Sequence, residues 1–322
     1  MRRIAPALLV PVAVCIALAG CGSSSSGSSA NANAAVKVTG TFGKSAKVSI
    51  PAEDASSKLV ISTPIKGNGA ALASGDSALA DLVVYKWSGT KHTLLDSTFT
   101  SGPQMIPAQM GLPGLTTALK GARLGSRIVA VLPPKYGYGT DGNSELQVTG
   151  KDTLVWVIDL LQQYSSTQSA TGNQVSTGGG KLPSVSAKPN QAPSVTVPKK
   201  TTPPKKLSVT TLIQGSGPKL ANGDTVVTQY VGVNWRTGKQ FGTSWPSSSD
   251  TAGELLSFEV GGEQVLEGLS EAMAGVTVGS RVMVVIPPSL GYGPEGGQSS
   301  AGIKKNDTLV FVVDVLGYEP AA

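Results

Sequence analysis

Apolar and polar residues along the second half of the chain form short runs that predict strands. Asp224 to Gly232 (DTVVTQYVG) is rich in β-branched residues and roughly alternating, and Leu255 to Val260 is another short run of this kind. Gly279 to Ile286 is mostly apolar and stops at Pro287-Pro288, which predicts a buried strand. Asp307 to Leu316 predicts the last strand of this half.

One segment between these strands has helical spacing instead. Its apolar residues would share one face of a short helix over residues 265–273: Val265, Leu266, Leu269, Ala272 and Met273. The segment RTGK at Arg236 to Lys239 predicts a hairpin turn. One short helix among five or six strands predicts an α+β fold, in which an antiparallel β-sheet wraps around the helix.

The same sequence blocks occur twice and in the same order. KLVISTPIKGNGAALASGD, which ends at Asp76, matches KLSVTTLIQGSGPKLANGD, which ends at Asp224. GLTTALKGARLGSR matches GLSEAMAGVTVGSR, PPKYGYG matches PPSLGYG, and KDTLVWVIDLL matches NDTLVFVVDVL. We therefore predict two copies of one domain, residues 37–165 (the first repeat) and residues 206–320 (the second repeat).

Residues 166–205 separate the two repeats. This segment is rich in Pro, Gly and Ser, contains the run GGG, and shows no apolar period. Such a composition predicts an extended linker that is stiffened by its prolines.

The first residues of the chain are typical of a targeting signal. Arg2 and Arg3 precede an apolar run from Ile4 to Ala19 that is interrupted by two prolines and is too short to span a membrane. A basic start followed by a short apolar stretch is typical of a secretory signal. Residues 1–20 are therefore predicted to be a signal peptide that is removed.

The end of this signal resembles a bacterial lipobox, Leu18-Ala19-Gly20-Cys21. The resemblance implies cleavage before Cys21 and transfer of a diacylglycerol to its thiol. Residues 21–36 are rich in Ser, Gly, Ala and Asn, which predicts a flexible tether. We therefore expect an extracytoplasmic lipoprotein that is anchored to the bacterial cell membrane through the lipid on Cys21.

Composition excludes several classes of function. The formal net charge is +6, only 14% of residues are charged, and no basic stretch is interleaved with aromatic residues, so nucleic acid is not an expected partner. The two cysteines, Cys15 and Cys21, both lie near the N-terminus, which excludes a disulfide framework and a cysteine-based metal site. The single histidine, His92, is expected to be a surface residue, and neither a metal nor a cofactor is expected.

In this order, the blocks resemble the FKBP-type peptidyl-prolyl cis-trans isomerases. The resemblance covers nearly all of residues 206–319 and, less closely, residues 58–164. It implies two FKBP-like domains and a pocket in the second repeat that is made by Tyr230, Phe241, Val265, Leu266, Leu269, Tyr292, Ile303 and Phe311.

The resemblance also implies roles for some of these residues. The backbone N–H of Leu266 would hold a substrate carbonyl, and Tyr292 would supply a hydroxyl. Two positions depart from the family pattern, since its usual Asp after Phe241 is Gly242 here and its usual floor Trp is Leu269. None of these side chains is an obvious acid, base or nucleophile. An apolar pocket suits prolyl isomerisation, because the twisted amide of its transition state is less polar than the planar one.

The first repeat has lost part of this pattern. Leu82 stands at the position of Tyr230, and Leu95 at that of Phe241. Asp96, Tyr138 and Trp156 remain at matching positions, and the helix entrance Gly111-Leu112-Pro113-Gly114 carries a proline. The first repeat is therefore predicted to be a degenerate domain that is structural or binds peptides.

The resulting prediction is an isomerase that acts on exported or cell-envelope proteins. Its predicted partners are proline-containing polypeptides, the membrane and macrolide ligands, and the protein is predicted to be a monomer. The alternative is a non-catalytic chaperone module that binds peptides on the same fold. A solute-binding or adhesin function is not supported, because the chain has no α/β two-lobe pattern.

Overall fold

The computed structural model describes residues 32–107, 111–246 and 254–321. The predicted signal peptide, the predicted lipidation site Cys21 and most of the predicted tether lie outside the described residues. Those predictions remain predictions.

The first half of the chain forms one sheet with a helix on it. The short strands β1 (Lys37–Thr39) and β2 (Lys47–Ser49) pair with each other ahead of this sheet. The sheet and its helix comprise β3 (Val60–Ile65), β4 (Ser77–Ser88), β5 (Lys91–Ser97), β6 (Gln104–Ile106), α1 (Pro113–Leu119), β7 (Arg127–Leu132) and β8 (Thr153–Tyr164).

The second half repeats this arrangement. The connecting segment contains β9 (Asn173–Gln174), β10 (Ser184–Ser186) and β11 (Ser194–Thr196). The second sheet and its helix comprise β12 (Ser208–Gln214), β13 (Thr225–Asn234), β14 (Gln240–Thr243), β15 (Leu256–Glu259), α2 (Glu267–Met273), β16 (Arg281–Ile286) and β19 (Leu309–Glu319), with the small pair β17 (Gly297–Gln298) and β18 (Ile303–Lys304).

Both sheets have the same strand order. The first is β3-β7-β8-β4-β5 with β6 beside β4, and the second is β12-β16-β19-β13-β14 with β15 beside β13 and β9 beside β12. All of these strand pairs are antiparallel. The predicted α+β architecture, two domains that each have an antiparallel sheet around one short helix, is confirmed.

Each helix buries one apolar face against the inner face of its sheet. Leu115 and Leu119 of α1 pack in the core of the first repeat, and Leu269 and Met273 of α2 pack in the core of the second. The helix in the second repeat begins later than predicted, at Glu267, because Leu266 at its N-cap has non-helical backbone angles (φ −54°, ψ 134°). The predicted hairpin turn is present, and the backbone N–H of Gly238 donates to the carbonyl of Asn234 (2.8 Å).

The outer face of the second sheet is apolar as well, which explains why every residue of β16 is buried. Residues from 182 to 197 of the connecting segment cover this face. Val185, only 7% exposed, packs there with Leu182, Val195 and Val197 against a set of buried sheet residues: Val231, Val233, Met283, Val285, Val310 and Val312. The segment predicted to be an extended linker therefore pairs with itself as β10–β11 and packs on the second repeat, because its valines find an apolar surface.

The first sheet has an equivalent cover from the residues that precede it. Val36, Val48 and Ile50 pack on the outer-face residues of β7 and β8. Asn33 is 1% exposed, and its side-chain amide donates to the carbonyl oxygens of Ser56 (2.8 Å) and Lys58 (2.6 Å). The last residues of the predicted tether, from residue 32 to residue 36, thus differ from a free tether because they are packed and hydrogen-bonded.

Each sheet also holds a buried ion pair at the same place. Arg127 pairs with Asp159 (2.7 Å), and Arg281 pairs with Asp314 (2.5 Å). Backbone groups of the segments that precede the two sheets bond to both carboxylates, since the N–H of Gly43 donates to Asp159 (2.7 Å) and the N–H of Ala170 donates to Asp314 (3.1 Å). Buried charges need such partners, because removing one member of a buried pair leaves an uncompensated charge.

Equivalent surfaces of the two repeats contact each other. Leu79 of β4 and Val227 of β13 stand at matching positions and lie in one apolar cluster, which also includes Leu161 and its counterpart Leu316. Tyr164 approaches the backbone at Gly317 so closely that a Cβ there would overlap its hydroxyl. The side chain of Gln162 in the first repeat donates to the carbonyl of Tyr318 (2.8 Å) in the second.

Among the described residues, no helix is long and apolar enough to span a membrane.

Candidate prolyl-binding pocket

Three aromatic side chains form a wall on the inner face of the second sheet. The ring of Phe311 on β19 lies 5.8 Å from the ring of Tyr230 and 5.5 Å from that of Phe241, the latter in an edge-to-face arrangement. Such tilted and edge-to-face contacts are favourable for aromatic pairs. Tyr230 and Phe241 are partly exposed, whereas Phe311 is only 5% exposed, so the wall leads from the surface to a buried end.

The position of Phe241 depends on a bulge between β13 and β14. Gly232 pairs with Gly242, and Val233 pairs with Gln240, so Phe241 is the extra residue. A bulge re-aims the side chain at the extra position. Here it places the ring of Phe241 over the backbone of Gly232.

The entrance of helix α2 forms another side of the pocket. Val265 and Leu266 are partly buried against the core, and Leu269, at 3% exposure, lies at the floor. The carbonyl of Leu266 accepts the backbone N–H groups of Leu269 (2.9 Å) and Ser270 (3.0 Å). No hydrogen bond among the described residues engages the backbone N–H of Leu266, so this donor is available to a bound carbonyl.

The loop before β19 supplies the remaining side chains. Tyr292 is partly buried against the core, and its carbonyl accepts the backbone N–H of Gly297 (2.8 Å). Ile303 on β18 is 3% exposed. The structure thus brings all of the site residues predicted in the second repeat into one apolar cluster: Tyr230, Phe241, Val265, Leu266, Leu269, Tyr292, Ile303 and Phe311.

The two tyrosine hydroxyls of the pocket are neutral hydrogen-bond donors. Burial raises the pKa of Tyr230 above its ordinary value, and the proximity of Tyr292 and Glu254 raises it further. Burial also raises the pKa of Tyr292, with a smaller contribution from Glu295. Both hydroxyls therefore keep their protons at neutral pH.

Strand register defines the equivalent positions in the first repeat. Leu82 pairs with Ile158 as Tyr230 pairs with Val313, and Trp156 occupies the place of Phe311. Leu95 is the extra residue of the first bulge, and Asp96 stands where the second repeat has Gly242. The predicted correspondences between the repeats therefore agree with the observed pairing.

In the first pocket aliphatic side chains replace two aromatic ones, and the tyrosine hydroxyl is engaged. Val84 replaces Gly232, is 5% exposed, and packs in the core of the first repeat with Leu82 and Leu95. Burial raises the pKa of the Tyr138 hydroxyl, while a hydrogen bond with the side chain of Asn143 opposes this effect. Tyr292, the equivalent residue, has no side-chain hydrogen bond among the described residues.

Sequence reasoning missed Gly232, which determines whether the pocket can be aromatic. The signal was present in the alignment of the repeats, because DLVVY in the first stands against QYVGV in the second.

Within the part of the chain that the structure describes, no group of three or more His, Cys, Asp or Glu side chains could hold a metal ion.

The family model described as FKBP-type peptidyl-prolyl cis-trans isomerase matches residues 75–161 and 217–316, together more than half of the chain. The chain belongs to this family. The match confirms the predicted family, the tandem arrangement and the enzyme class. Its two segments fall within the first and second repeats.

Curated relatives match over the length of one domain or more. The chain is 36% identical over 114 residues to an FK506-binding protein of Streptomyces anulatus, and this match covers 35% of this chain and 87% of the relative. It is 40% identical over 108 residues to the FKBP-type isomerase FkpA of Escherichia coli K12, and this match covers 34% of this chain and 35% of the relative. Rat FKBP9 is 24% identical over 246 residues, covering 74% of this chain and 35% of that protein.

Solved structures of FKBP proteins are also similar to the chain. The three FKBP domains of wheat FKBP73 match with a TM-score of 0.31 and 18% identity, covering 81% of this chain and 94% of that one. FkpA from Escherichia coli matches with a TM-score of 0.30 and 36% identity, covering 36% of this chain and 49% of that one.

Proposed function

We propose that the second repeat carries the peptidyl-prolyl isomerase activity of this protein and acts on exported or cell-envelope polypeptides. The observation that carries the proposal is the complete aromatic wall of Tyr230, Phe241 and Phe311, which the first repeat replaces at two of three places with leucine. Proline-containing polypeptides are the substrates, and macrolides that mimic them would compete for the same pocket.

The chemistry follows from the barrier that the pocket has to lower. Rotation about a peptide bond costs about 18–20 kcal/mol because twisting removes amide resonance. The twisted amide is less polar than the planar one, so an apolar pocket that excludes water binds it more tightly. Phe311 and Leu269, both nearly buried, supply such surroundings for a proline ring.

Two donors of the pocket can orient the substrate carbonyls. The unengaged backbone N–H of Leu266 lies at the helix entrance, and the neutral hydroxyl of Tyr292 lies on the loop opposite. Neither has to transfer a proton, because isomerisation breaks no covalent bond. The residues act by binding and exclusion of water alone.

The activity of the full chain with substitutions in one repeat at a time tests this assignment. Phe241→Leu introduces the residue of the first repeat, and we expect it to lower kcat/KM for a proline-containing peptide by about tenfold or more, since the wall loses an aromatic face. The matched control is Leu95→Ala, at the equivalent position of the first repeat, which should leave kcat/KM within about twofold. A loss of activity from Leu95→Ala and none from Phe241→Leu would assign the activity to the first repeat instead.

For the first repeat we propose binding of polypeptides without turnover. The hydrogen bond between Tyr138 and Asn143 supports this, because it occupies the hydroxyl that the second repeat keeps free. Titration of a proline-containing peptide into the full chain should show a second site that survives Phe241→Leu and weakens in Leu95→Ala. Loss of all binding in Phe241→Leu would contradict it.

For the location of the protein we propose an extracytoplasmic lipoprotein. The supporting features are the basic and apolar start of the chain and the lipobox-like sequence that ends at Cys21. An isomerase on the outer side of the membrane would meet polypeptides as they emerge unfolded, when their prolyl bonds still isomerise slowly.

A further inference from the structure

Gly242 is a glycine that neither the backbone nor the packing requires. Its φ angle is not positive, so any residue could adopt its conformation. A Cβ placed on Gly242 would lie 3.4 Å from the hydroxyl oxygen of Tyr230, which is ordinary contact. A Cβ on the neighbouring Gly232 would lie 2.7 Å from Phe241, which is too close. Among the residues that the structure describes, none fills the space that the missing side chain of Gly242 leaves beside the Tyr230 hydroxyl.

Tyr230 is fixed in place everywhere except at its hydroxyl. Its backbone N–H donates to the side chain of Ser244 (2.7 Å), and its carbonyl accepts the hydroxyl of Thr243 (3.0 Å) and the N–H of Ser244 (3.1 Å). Its ring packs on Phe311. Among the hydrogen bonds of the described residues, none involves the Tyr230 hydroxyl, so a rigidly held donor points into the open space.

The charges around this donor favour a neutral acceptor. Glu254 lies near Tyr230 and Glu295 near Tyr292, close enough for each carboxylate to oppose a further negative charge. An incoming carboxylate at the Tyr230 hydroxyl would be repelled by Glu254. An amide oxygen accepts the same hydrogen bond without that repulsion.

Exposure places this donor at the rim of the pocket rather than its floor. Tyr230 and Gly242 are partly exposed, whereas Leu269 and Phe311 are 3% and 5% exposed. The proline ring is the apolar part of the substrate and belongs at the buried end. The rim therefore faces a residue that flanks the proline.

The first repeat shows that the open donor is specific to the second. Asp96 there occupies the position of Gly242, and Leu82, which has no hydroxyl, occupies that of Tyr230. At these two positions neither repeat places a hydroxyl beside a carboxylate, and only the second repeat has a hydroxyl there.

We propose that Tyr230 and Gly242 form a recognition point for a neutral hydrogen-bond acceptor, the side-chain amide of an Asn or Gln that flanks the substrate proline. The proposal rests on the assignment of isomerase activity to the second repeat. Tyr230 contributes the donor, and Gly242 contributes the space for the side chain. Substrates with Glu at the same place are disfavoured by Glu254.

The test measures kcat/KM of the full chain for peptides that differ only in the residue before the proline, with Leu, Gln or Glu there, and for a second series that varies the residue after it. The measured quantity is the ratio of kcat/KM for the Gln peptide to kcat/KM for the Leu peptide. In one of the two series, Tyr230→Phe should lower this ratio about 3- to 10-fold, since one hydrogen bond is lost and the ring is kept. The Glu peptide should be the poorest of the three.

Gly242→Asp supplies an independent variant. Its carboxylate would accept the Tyr230 hydroxyl and fill the space, so it should lower the Gln/Leu ratio as Tyr230→Phe does. Adding Tyr230→Phe to Gly242→Asp should then have no further effect. Tyr292→Phe, which removes the other hydroxyl of the pocket, should lower kcat/KM for all peptides by the same factor and leave the Gln/Leu ratio unchanged.

The outcomes separate this inference from the proposed function. Turnover of the Leu peptide with an unchanged Gln/Leu ratio in Tyr230→Phe, in both series, would overturn the recognition point and leave the isomerase assignment intact. If no peptide is turned over, the isomerase assignment fails. The recognition point is then tested by calorimetry, as the ratio of the affinity for the Gln peptide to that for the Leu peptide. An unchanged affinity ratio in Tyr230→Phe would overturn it.

Discussion

The ring of Phe241 lies over Gly232, where a Cβ would come within 2.7 Å of the ring atom Cζ. The second repeat can therefore hold a phenylalanine at the bulge only because the opposing strand carries a glycine. The first repeat shows the alternative solution, with Val84 and Leu95 at the same two places.

Gly232→Val should displace the Phe241 ring and open the aromatic wall. We expect kcat/KM for a proline-containing peptide to fall at least about tenfold, and the free energy of unfolding to fall by about 1–3 kcal/mol, since the core is overpacked. Adding Phe241→Leu to Gly232→Val recreates the pair of the first repeat. This double variant should recover stability, measured by urea unfolding, and should not recover activity. Full activity in Gly232→Val would show that the Phe241 ring is not part of the working pocket.

The covering segment from 182 to 197 should contribute to the stability of the second repeat. Val185→Asp places a charge between the segment and the sheet, and we expect a loss of roughly 2 kcal/mol or more in urea unfolding. Val175→Asp is the matched control, because Val175 is 59% exposed and lies in the same connecting segment, and its effect should stay within about 0.5 kcal/mol. Equal effects of the two substitutions would mean that the segment does not hold the sheet in solution.

The packing of residues 182–197 on the second sheet also determines which fragment of the second repeat is stable. A fragment of residues 206–321 would expose the apolar outer face of its sheet, whereas residues 166–321 would keep it covered. We expect the shorter fragment to unfold at a lower urea concentration, and to bind a dye for exposed apolar surface. Identical unfolding of the two fragments would contradict the structural role of the segment.

Asp307 should make stability depend on pH in the acid range. Its carboxylate accepts hydrogen bonds from the side chains of Arg236 (2.6 Å) and Asn234 (2.7 Å) and from the backbone N–H of Lys304 (2.9 Å), and chiefly the bond from Arg236 holds its pKa well below the ordinary value of 3.8. A lowered pKa in the folded state means that this stabilisation is present above about pH 4 and is lost as the pH falls toward the folded-state pKa.

Asp307→Asn should therefore destabilise the protein at neutral pH and flatten the loss of stability below about pH 4. Urea unfolding at several pH values measures both effects. Glu263→Gln, at an exposed position of the same repeat, is the control and should leave the pH profile unchanged. A profile in Asp307→Asn that falls as steeply as that of the unsubstituted chain would exclude Asp307 as its source.

The predicted lipid anchor is tested by Cys21→Ser. Without the thiol no diacylglycerol can be attached, so the protein should move from the membrane fraction to the soluble one. Ser28→Ala, in the same predicted tether, should leave the distribution unchanged. Retention of the Cys21→Ser protein in membranes would show that something other than this lipid holds it there.

The sequence predicted the repeated fold because strand periodicity and block order are local signals. The site residues of the second repeat could be named only through the family resemblance, since Val265, Leu266 and Phe311 look like core residues by pattern alone. The structure added their convergence in one cluster and the room that Gly232 provides for Phe241. The packed state of the connecting segment was missed because a few valines among prolines and serines show no period. Their partners lie far along the chain, on β16 and β19.

The contact between the repeats brings residues at matching positions into one apolar cluster, Leu79 and Val227 together with Leu161 and Leu316, much as a symmetric dimer uses the same surface patch on both subunits. In a dimer of separate chains, occupancy of such a contact falls with dilution. Here both partners belong to one polypeptide, so their effective concentration is set by the connecting segment and not by the amount of protein present. The pairing should therefore persist in a single dispersed molecule, at dilutions where a dimer of separate chains would dissociate.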